Sequence, residues 1–150
     1  MTRAEIARTL HRYADAKQRH DVDAIVALRT EDCFDHNVPL EQRIEGREGI
    51  RAYFEWFFAN LRDYAAHFDG EAIGDDTAVV WGRWTGTLAG RKLEIPCAFV
   101  CTFRDDLLVG DSYYYDAATL ARQAGIEPDE LRGGAGMATG RARPDARVRA

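Results

Sequence analysis

The architecture is set by residues 77–115, TAVVWGRWTGTLAGRKLEIPCAFVCTFRDDLLVGDSYYY. Short turns at 89–90 and 105–106 divide this stretch into three long segments in which apolar residues recur with a period of two. A further turn at 74–76 precedes it, and residues 64–72 form another candidate strand before that turn. Turns of hairpin length between such segments predict a meander of four long antiparallel strands.

The N-terminal part of the chain carries the 3.6-residue period of helices instead. Thr2 and Glu5 form a capping-box pattern that predicts a helix over 3–19, and Asp21 predicts the cap of a short second helix. A third helix is predicted over 47–61, where apolar residues form one broad face: Ile50, Tyr53, Phe54, Phe57, Phe58 and Leu61.

Helices that precede a meander are the order of an α+β fold, because α/β folds alternate the two element types. A short strand is predicted over 33–38 and a last helix over 117–124. We predict one α+β domain over 1–126, in which a curved, mainly antiparallel sheet wraps around the N-terminal helices and forms a cone-shaped pocket. Residues 127–150 are rich in Gly, Arg and Ala, and they are predicted to be a disordered tail.

The composition excludes several classes of function. The net charge of −5, without a basic cluster in the folded part, predicts no nucleic-acid partner. No apolar run approaches the ~20 residues that span a bilayer, and the first residues lack a signal-peptide core, so we expect a cytoplasmic protein without membrane contact. The four histidines have no metal-ligand spacing and no glycine-rich phosphate motif occurs, which predicts neither a metal nor a cofactor.

Strand alternation sorts the first candidate site residues. Trp81, Arg83 and Thr85 share one face of the strand over 77–88, and Tyr114 and Asp116 share one face at the end of the last strand. Arg83 has two possible interpretations, an exposed charge that covers apolar surface or a buried donor that holds a carboxylate.

Asp116 follows three consecutive tyrosines. Aromatic walls would desolvate its carboxylate and raise its pKa, as a general base near neutral pH requires. The sequence Asp-Ala-Ala-Thr-Leu that begins at Asp116 fits a helix N-cap equally well. The sequence leaves both roles open.

Three other polar residues are candidates in the N-terminal half. Asp35 and Asn37 share one face of the short strand, where they would hold a water or a substrate hydroxyl, or form a turn before Pro39. Tyr13 lies on the apolar stripe of the first helix, either as a proton donor in the pocket or as a core residue with its hydroxyl at the rim.

Three segments of the chain form a recognisable pattern: GREGIRAYF at 46–54, IPCAF at 95–99 and YYDAATLARQAG at 114–125. These segments resemble the SnoaL-like polyketide cyclases of the nuclear transport factor two-like superfamily. The resemblance covers about residues 3–126. It implies the curved-sheet fold, but this superfamily contains many activities.

A finer resemblance is to the limonene epoxide hydrolase branch. NVPL at 37–40 and Tyr115-Asp116 look like two of its motifs, and residues 79–85 look like its strand with an R-x-D motif. The resemblance implies Asp116 as the general base, Asn37 as a water-positioning residue and Arg83 as the group that fixes the carboxylates. Thr85 stands where that branch has its second Asp, so the general acid of epoxide opening is missing.

The sequence therefore predicts a cofactor-free acid–base enzyme that acts on a small, mostly apolar substrate of polyketide or terpenoid type. Cyclisation, isomerisation and epoxide opening all stay open. The predicted catalytic residues are Asp116, Arg83, Asn37, Asp35 and Tyr13, and the predicted substrate contacts are Trp81, Tyr114, Thr85, Phe54 and Phe57. The alternative is a non-catalytic ligand-binding or dimerisation module of the same fold. By analogy with such folds, we expect a homodimer through the outer face of the sheet.

Overall fold

The structure is a computed structural model that describes residues 1–133. Its elements are five helices and six strands, in this order along the chain: α1 (Arg3–Gln18), α2 (Val22–Ala27), β1 (Arg29–Asn37), β2 (Gln42–Glu45), α3 (Gly46–Asn60), β3 (Ala65–Ile73), β4 (Thr77–Leu88), β5 (Arg91–Arg104), β6 (Leu107–Tyr115), α4 (Ala117–Ala124) and α5 (Pro128–Gly133). The α+β prediction and the four-stranded meander are confirmed.

The six strands form one curved sheet in the order β2-β1-β6-β5-β4-β3. All neighbouring strands are antiparallel except β1 and β6, which run parallel. Strand β2 was not predicted, and β1 begins four residues before the predicted strand. The parallel pair brings the N-terminal strand next to the last strand, which sets the position of the candidate site.

Local sequence signals fix the ends of the helices. Thr2 and Glu5 form the predicted capping box of α1, and the Asp21 carboxylate caps α2 by accepting a hydrogen bond from the Ala24 amide. Helix α4 ends at Gly125, whose φ of 72° is the left-handed conformation that glycine adopts without strain. None of the helices within residues 1–133 is long and apolar enough to cross a membrane.

The core lies between the concave face of the sheet and the helices. On α3 the apolar face buries Ile50, Phe54 and Phe58, and alternate residues of β4 and β5 meet them from the sheet. The three cysteines, Cys33, Cys97 and Cys101, are free and buried.

Helix α5 corrects the prediction of a disordered tail in part. Residues Pro128–Gly133 are helical, and Leu131 is buried against Leu40 and Ala121. Leu131 is an apolar residue in an otherwise polar segment, and its burial stabilises this short helix against the domain. The rest of the predicted tail, 134–150, lies outside the described residues.

Candidate active site

Two carboxylates lie side by side at the centre of the concave face. Asp35 on β1 and Asp111 on β6 are direct partners in the parallel register, and Cys101 on β5 is the next residue across from Asp111. The Asp111 side chain is buried, with a hydrogen-bonding contact of 3.9 Å from Cys101 Sγ to its Oδ1. Side chains in such a row are close neighbours, so each carboxylate acts on the charge of the other.

Helix α1 places two polar side chains over this part of the sheet. Tyr13 and Lys17 are four residues apart and therefore lie on the same face of the helix. Both are buried, and both belong to the apolar stripe that packs on the sheet. The site thus combines groups from one helix and three strands.

Arg29 is the charged partner of Asp35. Its side chain has no exposed surface, and its guanidinium lies 2.7 Å from Asp35 Oδ1. It also donates hydrogen bonds to the Tyr13 hydroxyl and to the carbonyl of Phe34. Burial alone lowers the pKa of the Arg29 guanidinium, but Asp35, Tyr13 and Asp111 outweigh burial and raise it, so the group stays charged.

Among the described residues, no cation forms an ion pair with Asp111, and the pKa of its carboxyl is raised. Burial raises the pKa of the Asp111 carboxyl most, and the negative charge of Asp35 raises it further. Lys17, Arg29 and the contact with Cys101 oppose this, and the resulting pKa is about 6. A carboxylate with a pKa near neutrality is a far stronger base than an ordinary aspartate.

Lys17 is the second buried cation of the site. Burial lowers the pKa of the Lys17 ammonium, but Tyr64, Asp111, Asp35 and Cys101 together raise it above its usual value, so Lys17 carries its charge. Its nitrogen lies 4.3 Å from the centroid of the Phe99 ring, a cation–π contact.

Three cavities that share lining residues border on these groups. The inner cavity, about 70 Å³, contacts the charged residues Asp35, Asp111 and Lys17. The rest of its wall is mostly aromatic and consists of His36, Asn37, Ile44, Tyr53, Phe54, Phe57, Tyr64, Trp84, Phe99 and Tyr113. The mouth cavity, about 100 Å³, continues it towards α4 and α5. The side cavity, about 420 Å³, lies between α1 and strands β3 to β5 and also contacts Lys17 and Asp111.

The structure brings five of the predicted site residues to these cavities. Asp35, Phe54 and Phe57 line the inner cavity, Tyr13 lines the side cavity, and Asn37 lines the inner and mouth cavities. Asn37 also hydrogen-bonds the Tyr115 side chain, whose pKa burial raises to about 12. Their catalytic or binding roles remain predictions.

Four predicted site residues point to the opposite face of the sheet. Trp81 and Tyr114 are among the most exposed large apolar side chains of residues 1–133, and Arg83 forms an ion pair with Glu94 at 2.9 Å on the same outer face. Thr85 lines a surface groove. Strand alternation correctly placed these residues on one face of the sheet, but the prediction that this face lines the pocket was wrong. Val80, Trp84 and their neighbours on the other face point inward.

Asp116 is also outside the pocket, which contradicts its assignment as the general base. Its exposed carboxylate caps α4 by accepting hydrogen bonds from the Ala118 amide (3.1 Å) and the Thr119 hydroxyl (2.8 Å). These hydrogen bonds, to Thr119 first, lower the pKa of Asp116, whereas a base near neutral pH needs a raised pKa. The cap is the correct interpretation of the Asp-Ala-Ala-Thr sequence.

Three polar residues of the site were not predicted: Lys17, Arg29 and Asp111. For Asp111 a signal was present, since strand alternation put it on the face of Tyr113 and Tyr115, which is the concave one. Lys17 followed the apolar stripe of α1 at helical spacing. Within residues 1–133, no group of three His, Cys, Asp or Glu side chains is arranged to hold a metal ion.

The fold and the site define the class of the protein. The SnoaL-like domain family matches residues 10–110, about two thirds of the chain, and the chain belongs to this family. No curated protein matches the sequence.

Solved structures show the same fold at low sequence identity. One is a protein of Catenulispora acidiphila with a ketosteroid isomerase-like fold, in complex with trimethylamine (18% identity, 81% of this chain and 95% of that chain, TM-score 0.73). A second is assigned as a SnoaL-like polyketide cyclase of Shewanella denitrificans (14%, 79% and 96%, TM-score 0.74). A third is Bal32a from a soil-derived mobile gene cassette (20%, 80% and 95%, TM-score 0.70).

Proposed function

We propose that the protein is a cofactor-free acid–base enzyme that removes a proton next to a carbonyl group of a small, mostly apolar substrate. The observation that carries this proposal is Asp111, a buried carboxylate with a pKa of about 6 that lines both the inner and the side cavity. Family membership supports the class of reaction, because a neighbour of the same fold is assigned as a polyketide cyclase.

In this mechanism Asp111 is the general base. Its carboxylate takes the proton from the α-carbon, and the electron pair of the broken C–H bond moves to the carbonyl oxygen to form an enolate. Protonated Asp111 then returns the proton to another carbon in an isomerisation, or to the alkoxide formed when the enolate carbon attacks a second carbonyl in a ring closure.

Asp35 and its partners help to keep the pKa of Asp111, the proposed base, above its usual value. Asp35 forms an ion pair with Arg29 and lies beside Asp111, where its negative charge helps to raise the pKa of Asp111. Tyr13 is fixed by the same guanidinium. Phe54 and Phe57 give the substrate an apolar wall, and Asn37 offers a polar contact at the mouth of the pocket.

The test does not require the natural substrate. Small apolar ketones and 1,3-dicarbonyl compounds are incubated with the protein in D2O, and NMR follows the exchange of their α-protons. Wild-type protein should accelerate the exchange for at least part of the panel, and Asp111→Asn should lower the enzymatic rate by ~10²–10⁴-fold. Asp116→Asn, which retains a good helix cap, is the matched control and should exchange at the wild-type rate.

Equal exchange rates for wild type and Asp111→Asn contradict the assignment of the base. A panel in which several compounds bind but none exchanges supports the second candidate function, a non-catalytic ligand-binding module. The inner cavity favours that candidate, because aromatic side chains leave only about 70 Å³ of it free.

Epoxide opening has less support. Of the positions compared in the finer resemblance, Asn37 lines the pocket, but Arg83, Thr85 and Asp116 lie outside it, so these residues do not reach a common substrate atom. Cyclisation and isomerisation need only one well-placed carboxylate as base, and Asp111 provides it.

We further propose that the protein is a homodimer and that it acts in the cytoplasm. The dimer proposal is supported by the outer face of the sheet, where Trp81 and Tyr114 flank Ala98 in the strand register and are 44% and 46% exposed. Two large exposed aromatic side chains in one row are unusual on a face that contacts only water.

A further inference from the structure

Lys17 lies where the inner and side cavities meet. Only 8% of its surface is exposed, and it is one of three residues, with Phe99 and Asp111, that line both cavities. Its ammonium nitrogen is 4.3 Å from the centroid of the Phe99 ring, 5.6 Å from that of Tyr13 and 5.9 Å from that of Phe54. A charge in this position lies next to any ligand that occupies either cavity.

Among the described residues, Lys17 differs from Arg29 in having no carboxylate within ion-pair distance. Arg29 has an ion pair with Asp35 and hydrogen bonds to Tyr13 and the Phe34 carbonyl. Lys17 has the faces of three rings and a hydrogen bond with the Tyr64 side chain. An ammonium carries three N–H donors, and the hydrogen bond with Tyr64 uses one of them, so Lys17 keeps donor capacity for a ligand atom.

The charges of the site change in a defined way during proton abstraction. Before the step, two cations, Lys17 and Arg29, balance two carboxylates, Asp35 and Asp111. When Asp111 takes the proton of the substrate, it becomes neutral and an equal negative charge appears on the substrate oxygen. The total charge of the site and its ligand is unchanged, but Lys17 has lost the negative charge of Asp111 and gains a new anion to bind.

We propose that Lys17 binds the enolate oxygen and thereby fixes the substrate carbonyl at the junction of the two cavities. This inference rests on the proposed function. It identifies the substrate class as extended apolar ketones or 1,3-dicarbonyl compounds, with the larger apolar part in the side cavity of about 420 Å³ and the smaller part in the inner cavity. A fixed cation that meets charge developing in the transition state is a major source of catalysis.

Phenols test this inference directly, because a bound phenolate with the proton on Asp111 reproduces the charges of the enolate complex. The probes are 4-nitrophenol and nitro-substituted naphthols of increasing size, whose ionised forms absorb at longer wavelength. Titration into wild-type protein and Lys17→Met gives the ratio of phenolate to phenol in the bound state. We expect wild type to favour phenolate by about tenfold or more relative to Lys17→Met.

Lys92, the other lysine of the chain, is exposed and gives the matched control. Lys92→Met should bind the probes with the wild-type ratio, and Lys17→Arg, which keeps the charge, should retain a raised phenolate fraction. Thermal unfolding monitored by circular dichroism shows that each variant is folded. In the exchange assay, Lys17→Met should lower kcat by about 10²-fold and change KM much less.

Failure of this inference and failure of the proposed function are distinguishable. Asp111→Asn should lose α-proton exchange yet bind phenolate at least as well as wild type, because it removes a negative charge and keeps Lys17. The inference is overturned if Lys17→Met and wild type give the same bound ratio, or if wild-type protein binds none of the phenols.

Discussion

The Arg29 guanidinium lies 2.7 Å from the Asp35 carboxylate, and the arginine has no exposed surface at all. A buried cation of this kind depends on its partner, since each member of the pair compensates the desolvation of the other. The pair also keeps a fixed negative charge beside Asp111.

The first prediction concerns this pair. Arg29→Met leaves the largely buried Asp35 carboxylate unpaired, so the free energy of unfolding should fall by about 3 kcal/mol in urea titrations at pH 7. The double variant Arg29→Met with Asp35→Leu removes both charges and should recover most of that loss. A single variant as stable as wild type contradicts the role of the pair. Arg104→Met, at an exposed pair with Asp32, is the control and should cost less than about 1 kcal/mol.

The second prediction is the pH dependence of stability that Asp111 produces. Its pKa in the folded protein, about 6, is higher than the usual value near 4 in an unfolded chain. The folded protein therefore binds this proton more tightly, and the contribution of Asp111 to stability is present below pH 4 and lost as the pH rises through 6.

Urea unfolding of wild type and Asp111→Asn between pH 4 and pH 7 measures this contribution. Asn does not titrate, so the stability of the variant relative to wild type should rise across this range by about 2 kcal/mol, most of the equivalent of the pKa difference, since the unfolded carboxyl is already partly ionised at pH 4. A difference between the two proteins that is constant with pH contradicts the raised pKa.

The third prediction separates Asp116 from the site. Asp116→Ala removes the cap of α4 and should lower the free energy of unfolding by about 0.5–2 kcal/mol, measured by urea titration. Proton exchange of bound ketones should be unchanged, because the carboxylate faces solvent. If Asp116→Ala is as stable as wild type but exchanges protons much more slowly, the assignment of Asp116 as a helix cap alone is wrong.

How far the sequence predicts this fold depends on whether the signals are local. Capping residues, turn dipeptides and strand alternation act within a few residues, and they predicted α1, α4 and the meander within one or two residues at most ends. Strand β2 is only four residues long and has little alternation to detect. Helix α5 holds one buried leucine, too weak a signal within a polar segment.

The candidate site was harder to predict, because its groups meet through distant parts of the chain. Trp81 and Trp84 lie on opposite faces of β4, so alternation alone did not show which face is concave. Asp35 and Asp111 become neighbours through the parallel pairing of β1 and β6, a contact between distant segments that no local pattern reports. Asp116, in contrast, had a complete local explanation as a helix cap, and that explanation is the correct one.

The fourth prediction concerns the outer face of the sheet. Wild-type protein should have the mass of a dimer in light scattering after size-exclusion chromatography, because the Trp81 and Tyr114 side chains are then covered. Trp81→Glu places a charge in this row and should give a monomer with unchanged helical content. A wild-type protein that is monomeric at high micromolar concentration contradicts the dimer.

Direct titration of Asp111 tests the central claim without any substrate. Protein labelled with ¹³C at the aspartate carboxyl groups is followed by NMR from pH 3 to pH 8, with Asp111→Asn and Asp116→Asn used to assign the two resonances. The proposed site predicts that Asp111 titrates near pH 6 and that Asp116 titrates below its usual value. An Asp111 carboxyl that titrates at or below the usual value near 4 contradicts its role as the general base.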